Sequence, residues 1–168
     1  MALTRAGAPL VVAASHNDPE EKRFVQHLHS VGYATQTKCD PNGWRVATSP
    51  IGPPLFFRNT GRLIRLYARY PAGLYSPDTY ADLLATVNGL NAAEWFIRTT
   101  LVHSQSEDAD ELSLSLQADV PAGRPELELG TCLFMWIREA TRIERVACSY
   151  DCGRKHTSAN EEPRDASA

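Results

Sequence analysis

Residues 62–70 read RLIRLYARY and residues 111–119 read ELSLSLQAD, and in both stretches apolar side chains alternate with polar ones. Successive side chains of a β-strand point to opposite faces of a sheet, so this alternation predicts two strands that are each buried on one face only. An antiparallel sheet with one wet face fits the pattern. The predicted inward side chains are Ile64, Leu66, Ala68, Leu112, Leu114, Leu116 and Ala118, and the predicted outward ones are Leu63, Arg65, Tyr67, Arg69, Ser113, Ser115, Gln117 and Asp119.

Shorter stretches on either side complete a predicted meander of strands. Residues 44–48, 54–58 and 95–102 are rich in β-branched and aromatic residues. The sequence Asn-Thr-Gly at residues 59–61 is typical of a tight hairpin, and the polar loop at residues 104–110 joins the last two predicted strands.

Three helices are indicated by their capping residues and their apolar spacing. Asp18 followed by Pro19 predicts a first helix over about 19–31, and Ser76 followed by Pro77 predicts the start of a second helix. A third helix is predicted from Pro125 to about residue 147. The predicted order is α-β-β-β-α-β-β-α, an α+β fold in which helices pack on an antiparallel sheet.

Composition predicts one globular domain in the 168 residues, of which 43% are hydrophobic and 22% are charged. We expect a flexible leader at 1–17, a single α+β domain at 18–150 and a disordered polar tail at 151–168. The net charge of −3 argues against nucleic-acid binding by bulk charge. No apolar run approaches the roughly 18 residues of a membrane span, and the four cysteines form no disulfide pattern. The predicted location is the cytoplasm.

Four short pieces of the sequence occur in a characteristic order. They are Gly32-Tyr33, the strand pair at 54–57 and 64–68, the helix end Val87-Asn88-Gly89-Leu90-Asn91, and Asp119-Val120-Pro121 before the last helix. Together they resemble the YbjN family, a group of proposed bacterial sensory transduction regulators that share the fold of type III secretion chaperones. The resemblance spans roughly residues 20–147. It implies a non-enzymatic regulatory or chaperone-like protein that works through protein contacts, and it implies no catalytic residues.

Arginines concentrate on the predicted strands and give a candidate partner-binding surface of Arg65, Tyr67, Arg69 and Arg98. An acidic protein partner suits this wet sheet face. Arginine and aromatic side chains on an open sheet also stack single-stranded bases, so a single-stranded nucleic-acid binder is kept as an alternative. The Gly-Phe-Gly-Phe signature of RNA-recognition sheets is missing.

The third helix carries large apolar groups outside its core stripe. Leu127, Phe134 and Met135 lie beside Arg138 on the helical wheel, and such residues are typical of interfaces. Chaperones of the resembled fold pair through this region, so the resemblance implies a homodimer with these four residues at or beside the contact. The alternative is that the leader or the tail covers them.

The end of the second helix carries Asn88 and Asn91, which we interpret as a structural motif. Asn91 falls inside the apolar stripe of the helix, where its amide needs hydrogen-bond partners. The sequence therefore predicts that Asn91 ties the helix end to the following strand or loop. Binding of a ligand is the alternative.

Two groups of residues contain side chains of the types that bind metal ions, but we predict a metal site at neither. Cys148, Cys152 and His156 are spaced by four, but Gly153 interrupts them and no fourth zinc ligand is evident. The acidic loop at 107–111 lacks the central glycine of a calcium loop. No GxSxG, SxxK, GxGxxG or P-loop motif occurs, so we predict no cofactor and no enzyme. An enzyme with an unrecognised α+β pocket is kept as an alternative.

Overall fold

Six strands and three helices make up the computed structural model, which describes residues 18–36, 39–50, 52–93, 96–105 and 109–157, with side chains to residue 151. Every paired strand runs antiparallel to its neighbour. The elements are α1 (Pro19–Ser30), β1 (Ala34–Thr35), β2 (Arg45–Ser49), β3 (Gly52–Asn59), β4 (Leu63–Leu74), α2 (Pro77–Ala93), β5 (Ile97–Gln105), β6 (Asp110–Pro121) and α3 (Glu126–Thr157).

The sheet order is β1-β2-β3-β4-β6-β5, so the two alternating stretches lie side by side at its centre. Their register runs from Ile64 opposite Val120 to Tyr70 opposite Leu114. The predicted α+β class and the predicted strands at these positions are confirmed. β1 is a fourth strand before α2 that the sequence did not predict, because two residues are too few to show an alternating pattern.

The three helices cover one face of this sheet. Phe24 and Leu28 of α1, and Leu83 of α2, are buried in the same core cluster as the inward side chains of the strands. The predicted inward faces of β4 and β6 are therefore confirmed. Helix α3 lies on the same core with a row of buried side chains. These are Leu129, Leu133, Trp136, Ala140, Ile143 and Ala147.

Ser113 lies on the predicted outward face of β6, but it is buried there. Its position in the alternation is on the face away from the helices, yet only 4% of the residue is exposed. The guanidinium of Arg69 covers it, since Nε of Arg69 donates to Oγ of Ser113 over 2.8 Å. Ser115 is partly exposed and Gln117 is exposed, so the strand alternates as predicted on either side of this covered serine.

Helix α3 runs to Thr157, so the predicted helix end near residue 147 is wrong. A single glycine costs a helix interior only about 1 kcal/mol relative to alanine, and Gly153 is followed by no proline before Pro163. The helix thus occupies residues 151–157 of the predicted tail, while 1–17 and 158–168 lie outside the described residues. Within the described part of the chain, no helix is long and apolar enough to cross a membrane.

Candidate functional site

The sheet face opposite the helices, here called the open face, is not covered by any element of the described residues. Its side chains form rows that cross the strands, because directly paired residues point to the same side. One such row, here called the central row, is fixed by four successive register pairs across five strands. It consists of Val46, Phe56, Tyr67, Gln117 and Arg98.

Three aromatic side chains pack together at one end of this face, and we call them the aromatic cluster: Trp44, Phe56 and Tyr67. The ring of Tyr67 lies 5.8 Å from that of Trp44 and 6.4 Å from that of Phe56. Arg58 places its guanidinium 5.1 Å from the Trp44 ring, a cation–π contact that occupies one face of the indole. All three aromatic residues are half-buried, so they present part of their apolar surface to solvent.

A tight turn before β2 positions Trp44. The Asp40 side chain accepts hydrogen bonds from the backbone N–H groups of Asn42 and Trp44, over 2.9 and 2.8 Å. Gly43 adopts a φ of +80°, a backbone conformation that is unfavourable for residues with a side chain. The Asp-Pro-Asn-Gly sequence therefore turns the chain so that Trp44 reaches Tyr67.

Arg65 is held by a carboxylate of the protein itself. Its Nε donates to Oδ1 of Asp119 over 2.7 Å and its Nη2 donates to Oδ2 over 3.1 Å. This bidentate pair joins β4 to β6, and the hydrogen bond from Arg65 to Asp119 raises the pKa of the guanidinium. The charge of Arg65 is therefore largely compensated before any partner arrives.

Arg69 and Arg98 differ from Arg65 because neither forms an ion pair with a carboxylate of the described residues. Arg69 donates to two neutral hydroxyls, Ser113 over 2.8 Å and Ser104 over 2.7 Å, and so spans β4, β6 and β5. Arg98 is exposed and makes no hydrogen bond or ion pair with the described residues. It borders a shallow pocket of about 220 Å³ that Gln117, Asp119 and Arg124 also line. The β5 side of the open face thus carries two arginines that form no ion pair within the described structure.

Asn91 joins the end of α2 to the edge strand. Its Nδ2 donates to the carbonyl oxygen of Thr99 over 2.8 Å, and the N–H of Thr99 donates to its Oδ1 over 2.9 Å. The amide therefore pairs with β5 as a neighbouring strand would, on the side of β5 away from β6. Asn88 is exposed and makes no such contact among the described residues.

We expect Asn91→Ala to lower the free energy of unfolding by about 1–3 kcal/mol, since it leaves two backbone groups of the buried residue Thr99 unpaired. Asn88→Ala is the matched control and should change it by no more than about 0.5 kcal/mol. Urea denaturation of both variants measures the difference. Equal losses would mean that the two hydrogen bonds do not stabilise the fold.

The residues predicted for a dimer contact lie on α3, on the other side of the molecule from the open face. Leu127 is 84% exposed and Phe134 is 67% exposed, and they share one side of the helix because they are seven residues apart. Arg138 is exposed near them, whereas Met135 is half-buried. The structure therefore brings Leu127, Phe134 and Arg138 together and places Met135 at their border.

Clear pKa shifts other than that of Arg65 occur at Tyr33, Tyr70 and Cys132, all within the helix-covered core. Burial is the largest cause at each and raises the pKa of each group; the charge of Glu144 raises the pKa of both tyrosines further. A tyrosine or a thiol whose pKa is raised stays protonated at neutral pH, so these three groups are not ionised nucleophiles there.

The predicted metal-type clusters fall partly outside the described residues. This applies to residues 107 and 108 of the acidic loop and to the side chains of Cys152 and His156. Among the residues that the structure describes, no group of three or more such side chains has the arrangement of a metal site.

The aromatic cluster is the part of this site that sequence reasoning missed. The signal was present in the hairpin at residues 59–61, because a tight turn fixes the register of the strands on either side. With Asn59 opposite Ile64, Phe56 must lie opposite Tyr67 on the outward face. Counting back from the turn would therefore have placed these two rings together.

The fold and site define an α+β protein with three helices on one face of an antiparallel sheet and an aromatic, arginine-bearing open face. No protein-family model matches the chain, and no curated protein matches it. Among solved structures, the chain is similar to the crystal structure of YbjN, a proposed transcription regulator from E. coli, with 15% sequence identity. The match covers 82% of this chain and 93% of that chain, with a TM-score of 0.46. No residue role is transferred from this similarity.

Proposed function

We propose that this chain is a non-enzymatic regulatory or chaperone-like protein of the cytoplasm that acts through protein–protein contacts, in bacterial sensory or signal regulation. The observation that carries the proposal is the open face. It combines a half-buried aromatic cluster with arginines, two of which form no ion pair within the described structure. The proposed partner-binding residues are Arg65, Tyr67, Arg69 and Arg98, to which the geometry adds Trp44 and Phe56.

The composition of the open face supports a protein partner. Tyrosine, tryptophan and arginine are enriched at the energetic centres of protein interfaces, where large side chains meet a desolvated partner. Tyr67 is held by Trp44 and Phe56 on either side, so binding would cost it little conformational freedom. The face is therefore preorganised for contact.

The same geometry weighs against single-stranded nucleic acid. Bases stack on aromatic rings whose faces are open. Here the rings of the aromatic cluster lean on one another, with interplanar angles of 53° and 60° at Tyr67, and Arg58 occupies one face of Trp44. A peptide, which contacts ring edges and guanidinium groups, suits this surface better than a base does.

Site-specific photo-crosslinking in the native cells tests the proposal. A benzophenone amino acid at Thr100, which is exposed on the open face, is compared with the same group at Ala85, which is exposed on α2. We expect a discrete protein adduct from the first position that the second does not give, and the identified protein should bind the purified chain. Identical adducts from both positions, or adducts with nucleic acid alone, would contradict the proposal.

We further propose that the chain forms a two-fold homodimer through Leu127, Phe134, Met135 and Arg138. The support is the exposure of two large apolar side chains on one side of α3, where burial against a second copy would remove apolar surface from water. An interface between identical helices is self-complementary when a two-fold axis relates them.

Phe134→Asp should shift the protein from dimer to monomer in light scattering, because it places a charge in the proposed contact. Ala85→Asp, an exposed change on α2, is the control and should leave the mass unchanged. A monomeric wild-type chain at micromolar concentration would refute the dimer, and so would a Phe134→Asp variant that remains dimeric.

A further inference from the structure

We propose that the partner of the open face is an extended protein segment in which a large apolar or aromatic residue is followed by acidic residues. This inference rests on the proposed function and gives the chemistry of the partner. The apolar residue would contact Phe56 and Tyr67, and the carboxylates would bind Arg98 and Arg69.

Charge is the first support. Among the described strand residues, the open face carries four arginines, Arg58, Arg65, Arg69 and Arg98, and two carboxylates, Asp119 and Glu111, in a chain whose net charge is −3. The described strands therefore present a net positive charge on this face of an acidic protein. Complementary potentials favour an anionic partner and speed its encounter with the surface.

The second support is the set of hydrogen bonds that these arginines make within the chain. The carboxylate of Asp119 holds Arg65, whereas Arg69 donates, among the described residues, to the hydroxyls of Ser104 and Ser113. Arg98 makes no hydrogen bond or ion pair with the described residues. A guanidinium forms its strongest hydrogen bonds with carboxylates, often in pairs. The guanidinium N–H groups of Arg69 and Arg98 that make no hydrogen bond within the described structure therefore favour acidic side chains of a partner.

The central row gives the order and the length of the bound segment. Its side chains change from apolar at Val46 and Phe56, through Tyr67 and Gln117, to the cation Arg98. Five adjacent strands are separated by four spacings of about 4.8 Å, so the row is about 19 Å long. An extended chain advances about 3.3 Å per residue, so about six residues that cross the strands would reach from one end to the other.

Fluorescence anisotropy with designed peptides tests this inference on the purified full chain. The probe is a fluorescein-labelled peptide, Gly-Ser-Leu-Phe-Ser-Glu-Thr-Glu-Gly-Ser. One comparison peptide carries lysine in place of both glutamates, and another carries serine in place of the leucine and the phenylalanine. A ten-nucleotide oligothymidine represents nucleic acid.

We expect the acidic peptide to bind and both comparison peptides to bind at least tenfold more weakly, because each loses two side chains and the loss of one charge-assisted hydrogen bond or one buried apolar group already produces about a tenfold change. Arg98→Gln should weaken the acidic peptide by about tenfold as well. Because Arg98 is exposed and unpaired within the described structure, this variant should fold normally. Arg145→Gln, which removes the same charge from α3, is the matched control and should leave binding unchanged.

Equal binding of the glutamate and lysine peptides would overturn the inference, as would an Arg98→Gln variant with wild-type affinity. Preferential binding of the oligothymidine would also overturn the inference, because the partner of the open face would then be nucleic acid and not a protein segment. If crosslinking from Thr100 still yields a protein partner while the acidic peptide does not bind, the proposed function stands and only the acidic chemistry is wrong. If neither experiment shows binding, both proposals are wrong.

Discussion

Trp136→Ala is expected to lower the free energy of unfolding by about 3–5 kcal/mol, the largest single effect that we predict. Trp136 is 0% exposed on the face of α3 that packs on the sheet, so alanine leaves a cavity in the core that joins the helices to the strands. A typical domain is stable by only about 5–15 kcal/mol. The variant should therefore unfold at a much lower urea concentration, with circular dichroism as the readout.

Trp136→Phe is the control for this cavity. The indole Nε1 of Trp136 has no hydrogen-bond partner among the described residues, so phenylalanine removes an unpaired polar group while it keeps most of the apolar volume. We expect a much smaller loss than with alanine. If alanine costs less than about 1 kcal/mol, α3 does not anchor the core as described.

Leu114→Ala is expected to cost about 2–5 kcal/mol, whereas its neighbour Ser115→Ala should cost no more than about 0.5 kcal/mol. Leu114 is 0% exposed and lies opposite Tyr70 of β4 and Leu101 of β5, and Ser115 lies on the open face. Denaturant melts of the two variants therefore measure which face of β6 is buried. Similar costs at both positions would contradict the register.

The parts of the fold that the sequence predicts are those in which one local pattern repeats over many residues. In β4 and β6 the alternation continues for a full strand, and in α1 the capping residue Asp18 accepts a hydrogen bond from the N–H of Glu20 over 2.8 Å. Such signals depend only on residues near one another in the chain. They hold here because burial and local conformation favour the same structure.

The differences between expectation and structure come from contacts over long sequence distances. Ser113 is covered by Arg69, a residue 44 positions away that reaches it only because β4 and β6 pair. Strand β4 continues past Pro71 because the register shifts between Pro71 and Leu74, and proline is tolerated at such an irregularity. Neither the covering of Ser113 nor the continuation of β4 past Pro71 can be recognised from the local alternation of side chains.

The candidate site also has a part that the local sequence predicts and a part that depends on strand pairing. Alternation alone placed Arg65, Tyr67 and Arg69 on one face of a strand, but it did not show that Asp119 neutralises Arg65 while Arg98 stays unpaired among the described residues. That distinction requires the pairing of β4, β6 and β5. It matters for experiment, because Arg65→Glu would bring two carboxylates together and disturb the fold, whereas Arg98→Gln tests binding without that defect.

The central claim is that the open face is the binding surface, and an NMR titration tests it most directly. Backbone amide shifts of the nitrogen-15-labelled chain are recorded as the acidic peptide is added. We expect the largest changes along the central row, at Phe56, Tyr67, Gln117 and Arg98, and none on the exposed side of α3 around Thr141. Largest changes on α3, or no change anywhere, would contradict the account.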